Sequence, residues 1–518
     1  MRRDREHLTV VSTLRSALSA RFEIDTRSLA VFRIAVALLV IADLVLRARN
    51  FELFYTEAGV VPQSLALAAP PVDVPSLYFL STDPRLTAVL FVIHGLLACS
   101  LLAGYRTRLS TVCVAILVVS LDLRNPLVLS YADTLFMWLL CWAIFLPLGE
   151  RWSVDAVHAE REPRTTVGGL PAALILLQVI TVYVVNGLHK RTADQWATGE
   201  AAVVVMGLDD MTFLAADLVA SLPQLVQIGG RIWYGMLLCS WLLVVFRGRP
   251  RTVLVATFVA VHLSFALTVR IGAFAFVSIA GLLLFLQASF WADIYRLAKR
   301  LADHEQLSRL SVRAERTAGR LPRGPVFGMA DALRRHRRPV VGLLVGLVTV
   351  VVVISVLSTG GVIDNQAAAD IETATSAVIE HQTEWSIFAP EPRSTDRQYV
   401  VAAESTTGDR WDLQLDRELT ADRPLELHTQ FDTYRERFYM SSVRRDSPAG
   451  TQQLLADHYC ETTTVDDEPI NYLTMYVITE SVTVETARTP EDRERTVHEL
   501  GSYSCTDASP QRVDLPAE

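Results

Sequence analysis

The stretch Ser28-Leu29-Ala30-Val31-Phe32-Arg33-Ile34-Ala35-Val36-Ala37-Leu38-Leu39-Val40-Ile41-Ala42-Asp43-Leu44-Val45-Leu46 decides the architecture. It carries only two charges, and as an α-helix it would extend about 28 Å, close to the roughly 30 Å hydrocarbon core of a bilayer. Apolar runs of similar length recur as far as Trp291 and once more from Pro339 to Leu357. The whole chain of 518 residues is 51% apolar and only 20% charged, with a mean hydropathy of +0.29, which excludes an ordinary soluble enzyme of this size. The polar opening Met1-Arg2-Arg3-Asp4 precedes a span long enough to stay in the membrane, so the first span is expected to act as its own insertion signal.

Working outward from that stretch, spans are expected at 28–46, 85–103, 107–123, 131–148, 168–186, 231–246, 252–269, 271–290 and 340–357. Arginine distribution orients them. With the N-terminus inside, the clusters Arg106/Arg108, Arg151 to Arg164, Arg247/Arg249/Arg251, Arg296 to Arg323 and Arg334 to Arg338 all fall on the cytoplasmic side. An odd number of spans then sends the C-terminus outside. The segment 211–229, with scattered apolar residues and Pro223, reads as interfacial or re-entrant.

From Thr359 onward the composition changes to 31 Asp/Glu against 13 Arg and no Lys, an acidic and soluble tail. Alternating runs such as Gln398 to Ala402 and Tyr472 to Ile478 read as strands. The expected fold is therefore an all-α polytopic membrane bundle of about nine transmembrane helices with a C-terminal extracytoplasmic α+β domain. Its parts are a cytoplasmic segment 1–27, the bundle 28–293, a basic cytoplasmic linker 294–338, the last helix 339–358 and the acidic domain 359–518. Cys99, Cys113, Cys141 and Cys239 fall in spans, which leaves Cys460 and Cys505 as the two exterior cysteines and an expected disulfide. His381, His458 and His498 lack the spacing of a metal site, so no metal is expected.

Ionisable residues inside spans normally face a protein interior, a water cavity or a head group. Arg33 either snorkels to the inner surface or serves a site, and His94 either bonds a carbonyl or does the same. His262 lies deeper, ahead of Ser264 and Arg270. The most informative stretch is Asn186-Gly187-Leu188-His189-Lys190-Arg191, followed by Asp194 and Trp196, where the fifth span reaches the outer surface. Only two lysines occur in the chain, Lys190 and Lys299. A desolvated lysine can release its proton and act as a base, which arginine cannot. The alternative for Lys190 is a head-group anchor with Trp196 as an interface aromatic.

Several of these stretches, in this order, resemble the vitamin K-dependent γ-glutamyl carboxylases and, more closely, their microbial relatives, the horizontally transferred transmembrane domain (HTTM) proteins. They are Asp25 to Arg33, Phe54 to Val60, Gly104 to Arg108, Arg124 to Leu129, Trp152 to Asp155, Asn186 to Lys190 with Trp196, and His262 through Ile271-Gly272-Ala273-Phe274, and they cover roughly 25–292. The resemblance implies a membrane-embedded, quinol-dependent enzyme of the carboxylase or epoxidase kind, in the lyase class. Lys190 would be the catalytic base, with His189, His262, Asp194, Trp196 and Arg33 in support. It implies a menaquinol-type naphthoquinol, O2 and CO2 as co-reactants, and an extracellular protein or peptide as acceptor. The family's assisting histidine would fall in the loop Arg124 to Tyr131, which contains none. The stretch Trp385 to Pro392 resembles an aromatic-proline segment that follows the final span in such proteins, read as lying on the membrane surface with Trp385 and Phe388 at the interface. The competing readings are a lipid- or quinone-binding scaffold or sensor that engages an extracellular partner and, last, a transporter, which the lack of an internal repeat disfavours. The expected surroundings are membrane lipid and an isoprenoid quinone, in a multi-pass cell-membrane protein; no nucleic-acid partner is expected.

Overall fold

The computed structural model describes residues 19–69, 76–159, 161–301, 313, 315–323, 346 and 385–516. A two-residue ladder opens the chain, β1 (Ile24–Asp25) pairing antiparallel with β2 (Thr166–Val167). Asp25 then caps α1 (Thr26–Arg49) by accepting the Arg27 amide at 2.9 Å. Helix α2 (Pro84–Ala103) has proline at its first position and ends on Gly104, whose φ of 68° turns the chain in the left-handed region. Three further long helices complete the bundle's frame: α3 (Thr107–Arg124), α5 (Leu170–Lys190) and α10 (Arg249–Thr268).

Among the described residues, four helices are long and apolar enough to cross a membrane, α1, α2, α5 and α10. A fifth is reached only if α11 (Phe274–Leu283) and α12 (Ala288–Leu301), bent by 99°, are counted as one span. Apolar side chains on the outside support the bilayer reading, since Val92, Leu96 and Val253 are 62%, 65% and 66% exposed. The other expected spans take different forms. α3 carries Arg108, Asp122 and Arg124, and α4 (Tyr131–Ala143) stops after 13 residues. The span expected at 231–246 begins earlier, at Pro223, as α9 (Pro223–Leu238), because proline favours the first turn of a helix, and it breaks after Leu238. The segment 211–229 divides between an isolated Thr212↔Val269 bridge, α8 (Ala216–Ala220) and the start of α9. Apart from residue 346, the span at 340–357 lies outside the described residues, as does most of the linker before it.

The C-terminal domain is a β-rich half-barrel. Strands β3 (Thr395–Ser405), β4 (Arg410–Asp412), β5 (Arg417–Glu418), β7 (Glu468–Ser481) and β8 (Arg495–Ser504) form an antiparallel sheet in the order β5-β4-β3-β7-β8. β6 (Thr464–Val465) joins β7 through Asp466-Asp467, both at positive φ as a two-residue hairpin of right-handed twist requires. Register shifts at Glu404/Ser405 and Met475/Tyr476 curl the sheet. Tyr399, Val401, Leu473, Met475 and Val477 share a core with Tyr439, Met440, Val443 and Leu455 of α13 (Tyr434–Arg445) and α14 (Thr451–Thr462). Alternate residues Val400, Ala402, Tyr476 and Ile478 build a second core with Val513 on the other face. Cys460 and Cys505 are disulfide-bonded, tying α14 to the chain after β8.

This domain sits on the face of the bundle where α1, α5 and α10 end. The guanidinium of Arg435 reaches Asp133 at 2.8 Å and also contacts Asp43, while Arg47 bonds Asp43 at 2.7 Å and contacts Asp122. Arg270 donates to the His428 and Phe431 carbonyls, and Gly272 lies against the ring of Tyr434 so closely that a Cβ there would come within 2.5 Å. Asp396 accepts the amides of Asp209 and Asp210, each at 2.9 Å. The opposite face holds the start of α1 and the loops 104–107 and 148–159, against which residues 315–323 lie through Tyr105 to Pro322 and His158 to Ala318. Residues 315–323 and the segment beginning at Trp385 thus stand at opposite ends of the bundle.

Candidate ligand cavity beside Lys190

In the last two turns of α5, Tyr183, Asn186 and Lys190 fall three and four residues apart and so share one face. That face turns toward α9 and α10. The cavity there has a volume of about 410 Å³, within the roughly 300–1,000 Å³ typical of small-molecule sites. Its walls are Tyr183 from α5, Trp196 from α6 (Asp194–Thr198), Met206 from α7 (Glu200–Met206), Trp233 from α9, Phe265 from α10 and Phe274 from α11. The lining is predominantly aliphatic and aromatic, with Ser264 on its flank and the stronger polar groups, Asn186 and Lys190, at the outer end.

That outer end is built from a strap of the C-terminal domain. Asn186 donates to the carbonyls of Trp385 at 2.7 Å and Ile387 at 2.9 Å. The Lys190 ammonium donates to the carbonyls of Ile387 and Phe388, the latter at 3.0 Å, and lies 4.0 Å from the centre of the Trp196 ring. Trp196 in turn donates its indole N–H to Pro390 O at 2.8 Å, and Tyr131 and Ser386 share a hydroxyl contact of 2.8 Å. Two carbonyls and an aromatic face give a buried cation three favourable contacts. Among the described residues Lys190, 2% exposed, has no carboxylate partner.

Of the residues singled out from the sequence, Lys190 and Trp196 meet at the outer end of the cavity. His262 stands one layer behind the wall, fully buried, with Nε2 2.7 Å from the Tyr183 hydroxyl and its ring packed on Trp233, Phe265 and Phe274. His189 is half-buried on the next position of the helix, where its carbonyl accepts the Thr192 hydroxyl at 2.9 Å. Asp194 opens α6 and is exposed. Arg33 lies at the opposite end of the bundle. It neither snorkels nor lines the cavity, because its guanidinium is spent on the carbonyls of Leu148, Arg151, Trp152 and Leu102, which clamp the 148–152 loop and the end of α2 to α1.

The strap differs from the surface segment expected. Trp385 is fully buried and Phe388 contributes to the cavity wall, because both are sandwiched between the sheet domain and the bundle. Asn186, Tyr183 and Trp233 were not singled out as site residues. Asn186 carried a signal of its own, an amide in an apolar helix one turn before Lys190.

The family model for the HTTM domain matches residues 22–291. No curated protein and no solved structure matches the chain.

Proposed function

The chain belongs to the HTTM domain family, and from that premise we propose that it is a membrane protein which holds an isoprenoid quinol or a similar amphipathic lipid in the cavity, ring end toward Lys190. The observation that carries this reading is the cavity itself, largely apolar along its length, with its amide and ammonium groups gathered at one end. Tyr183, Trp233, Phe265 and Phe274 suit a fused aromatic ring and an isoprenoid chain by dispersion and stacking, and Asn186 and Lys190 suit its oxygens. A bound naphthoquinol would supply reducing equivalents. The chain's own contribution is to orient the ring, exclude water and hold a proton at Lys190 Nζ.

In the second reading Lys190 is the base of a carboxylase- or epoxidase-like reaction. Its burial without a carboxylate partner among the described residues favours this reading, because none of them supplies a fixed anion to hold its proton. The orientation in which the N-terminus is cytoplasmic and the sheet domain extracytoplasmic, with an odd number of spans, draws on the arginine-rich loops gathered at the start of α1.

The test uses purified protein in nanodiscs. Trp196 and Trp233 line the cavity, so menaquinol binding is read as saturable tryptophan quenching, and oxygen uptake is read in parallel. Saturable quenching is expected, and its absence would overturn the binding reading. Lys190→Arg keeps charge and approximate length but cannot serve as a base. Uptake that disappears in Lys190→Arg while quenching persists would establish the base; quenching without uptake in the native protein would leave a binder.

A further inference from the structure

Resting on that reading of the cavity, we propose that its ligand arrives sideways from the bilayer, through a slot between α9 and α10, and that the ligand class is an amphiphile whose hydrocarbon tail trails through the slot. A water-borne peptide has no path to the Lys190 amine while the strap is seated.

Two sets of observations carry this. At the outer end, the groups a peptide would have to reach are already covered: Asn186, Lys190 and Trp196 are 6%, 2% and 4% exposed, and all three donate to strap carbonyls. The strap therefore occupies the positions at which an exogenous backbone would bind. On the flank the situation reverses. Leu222 just before α9, Leu225 and Gly229 along it, and Ser264 on α10 line the cavity and are also exposed. A cavity whose wall residues reach the outer surface is open there. The surface around this slot is apolar, with Leu218, Ile228, Ile232, Leu263 and Leu267 between 45% and 71% exposed, and it is continuous with the outward-facing belt of α10. Water is a poor solvent for such a rim and lipid a good one. Gly229 widens the slot, since a Cβ built there meets nothing within 4 Å, whereas a Cβ at its neighbour Gly230 would come within 2.6 Å of Ala202, so that glycine lets α9 pack close to α7.

The test places a thiol inside the cavity as Val205→Cys, in a background where Cys99, Cys113, Cys141 and Cys239 are replaced by alanine and the Cys460–Cys505 bond is retained. Full-length protein in nanodiscs is exposed to a long-chain alkyl maleimide dissolved in the bilayer or to a charged, water-soluble thiosulfonate. The alkyl reagent is expected to modify the thiol and the charged one to leave it intact. Gly229→Phe, which fills the slot from α9, and Ser264→Phe, which fills it from α10, should each slow the alkyl reaction at least tenfold. An intact disulfide and monodisperse elution identify folded variants, and two blocking positions guard against the failure of one. Equal labelling by the charged reagent, a rate unchanged in both slot variants, or a thiol inert to both reagents would each overturn the route. Protection of the thiol by naphthoquinol is read separately: labelling through the slot without protection would remove the proposed ligand and leave the route standing.

Discussion

Arg435 is the residue whose loss should most clearly separate the sheet domain from the bundle. Its side chain is 5% exposed and its guanidinium answers Asp133, Asp43 and the Val128 carbonyl, while the neighbouring Arg47 answers Asp43, Asp122 and the Tyr55 hydroxyl. Three carboxylates thus share two guanidinium groups, and Arg435→Gln would leave all three to Arg47. Removing one partner from a buried ionic cluster costs about 3–5 kcal/mol, because the remaining charges stay desolvated. At about 1.4 kcal/mol per tenfold change, docking of the domain should weaken by roughly two to four powers of ten. The amides of Asp209 and Asp210 report docking directly, since Asp396 is their acceptor across the interface. Hydrogen exchange followed by mass spectrometry on the peptide containing them should show protection falling in Arg435→Gln and recovering in part in Arg435→Gln/Asp133→Asn, which removes one of the stranded charges. A loss below about 1 kcal/mol, or a double variant no better than the single one, would refute the charge-imbalance argument.

Three further outcomes are expected. Reducing Cys460–Cys505, which closes a 45-residue separation, should lower the stability of the sheet domain by about 4 kcal/mol on loop-entropy grounds, measured by denaturation with and without reductant. Burial pushes the Asp412 carboxyl up to about 6, so the folded state holds its proton more tightly than the unfolded chain does. That contribution is present below pH 4 and lost as pH rises through 6, and Asp412→Asn should flatten this slope and stabilise the domain by up to about 3 kcal/mol at pH 7, with an unchanged pH profile counting against it. Gly272→Ala introduces a Cβ 2.5 Å from the Tyr434 ring at a φ of +64°, so it should expose the same Asp209 and Asp210 amides to exchange as Arg435→Gln, and native protection there would show that the interface can shift.

Features that depend on short-range pattern were legible in the sequence. The runs that became α1, α2, α5 and α10 announce themselves by length and hydropathy, and Cys460 and Cys505 by being the two cysteines outside the spans. Lys190 stood out as a lysine in an arginine-writing chain. Its partners did not, because the carbonyls it bonds lie 197 and 198 residues downstream and a carbonyl leaves no trace in residue identity. The same holds for Arg33, which is recognisable as costly in an apolar helix but whose acceptors are all backbone oxygens. Asp43 and Asp133 were visible as ionisable groups in spans, yet their link through Arg435 crosses 392 and 302 positions of chain. The bends at Leu238 and between Leu283 and Ala288 escaped a reading by hydropathy, which averages over the residues where a helix breaks.

The strap also fixes an order of events during synthesis. The bundle's share of the Lys190 site is complete in sequence by Phe274, but the oxygens that receive the ammonium belong to Ile387 and Phe388. A nascent chain that has emerged only as far as α12 therefore carries a membrane core whose lysine lacks its acceptors and whose Trp196 indole lacks Pro390. Maturation of the site waits on delivery of the sheet domain to the same face, so a part of the chain translated later finishes a site begun much earlier.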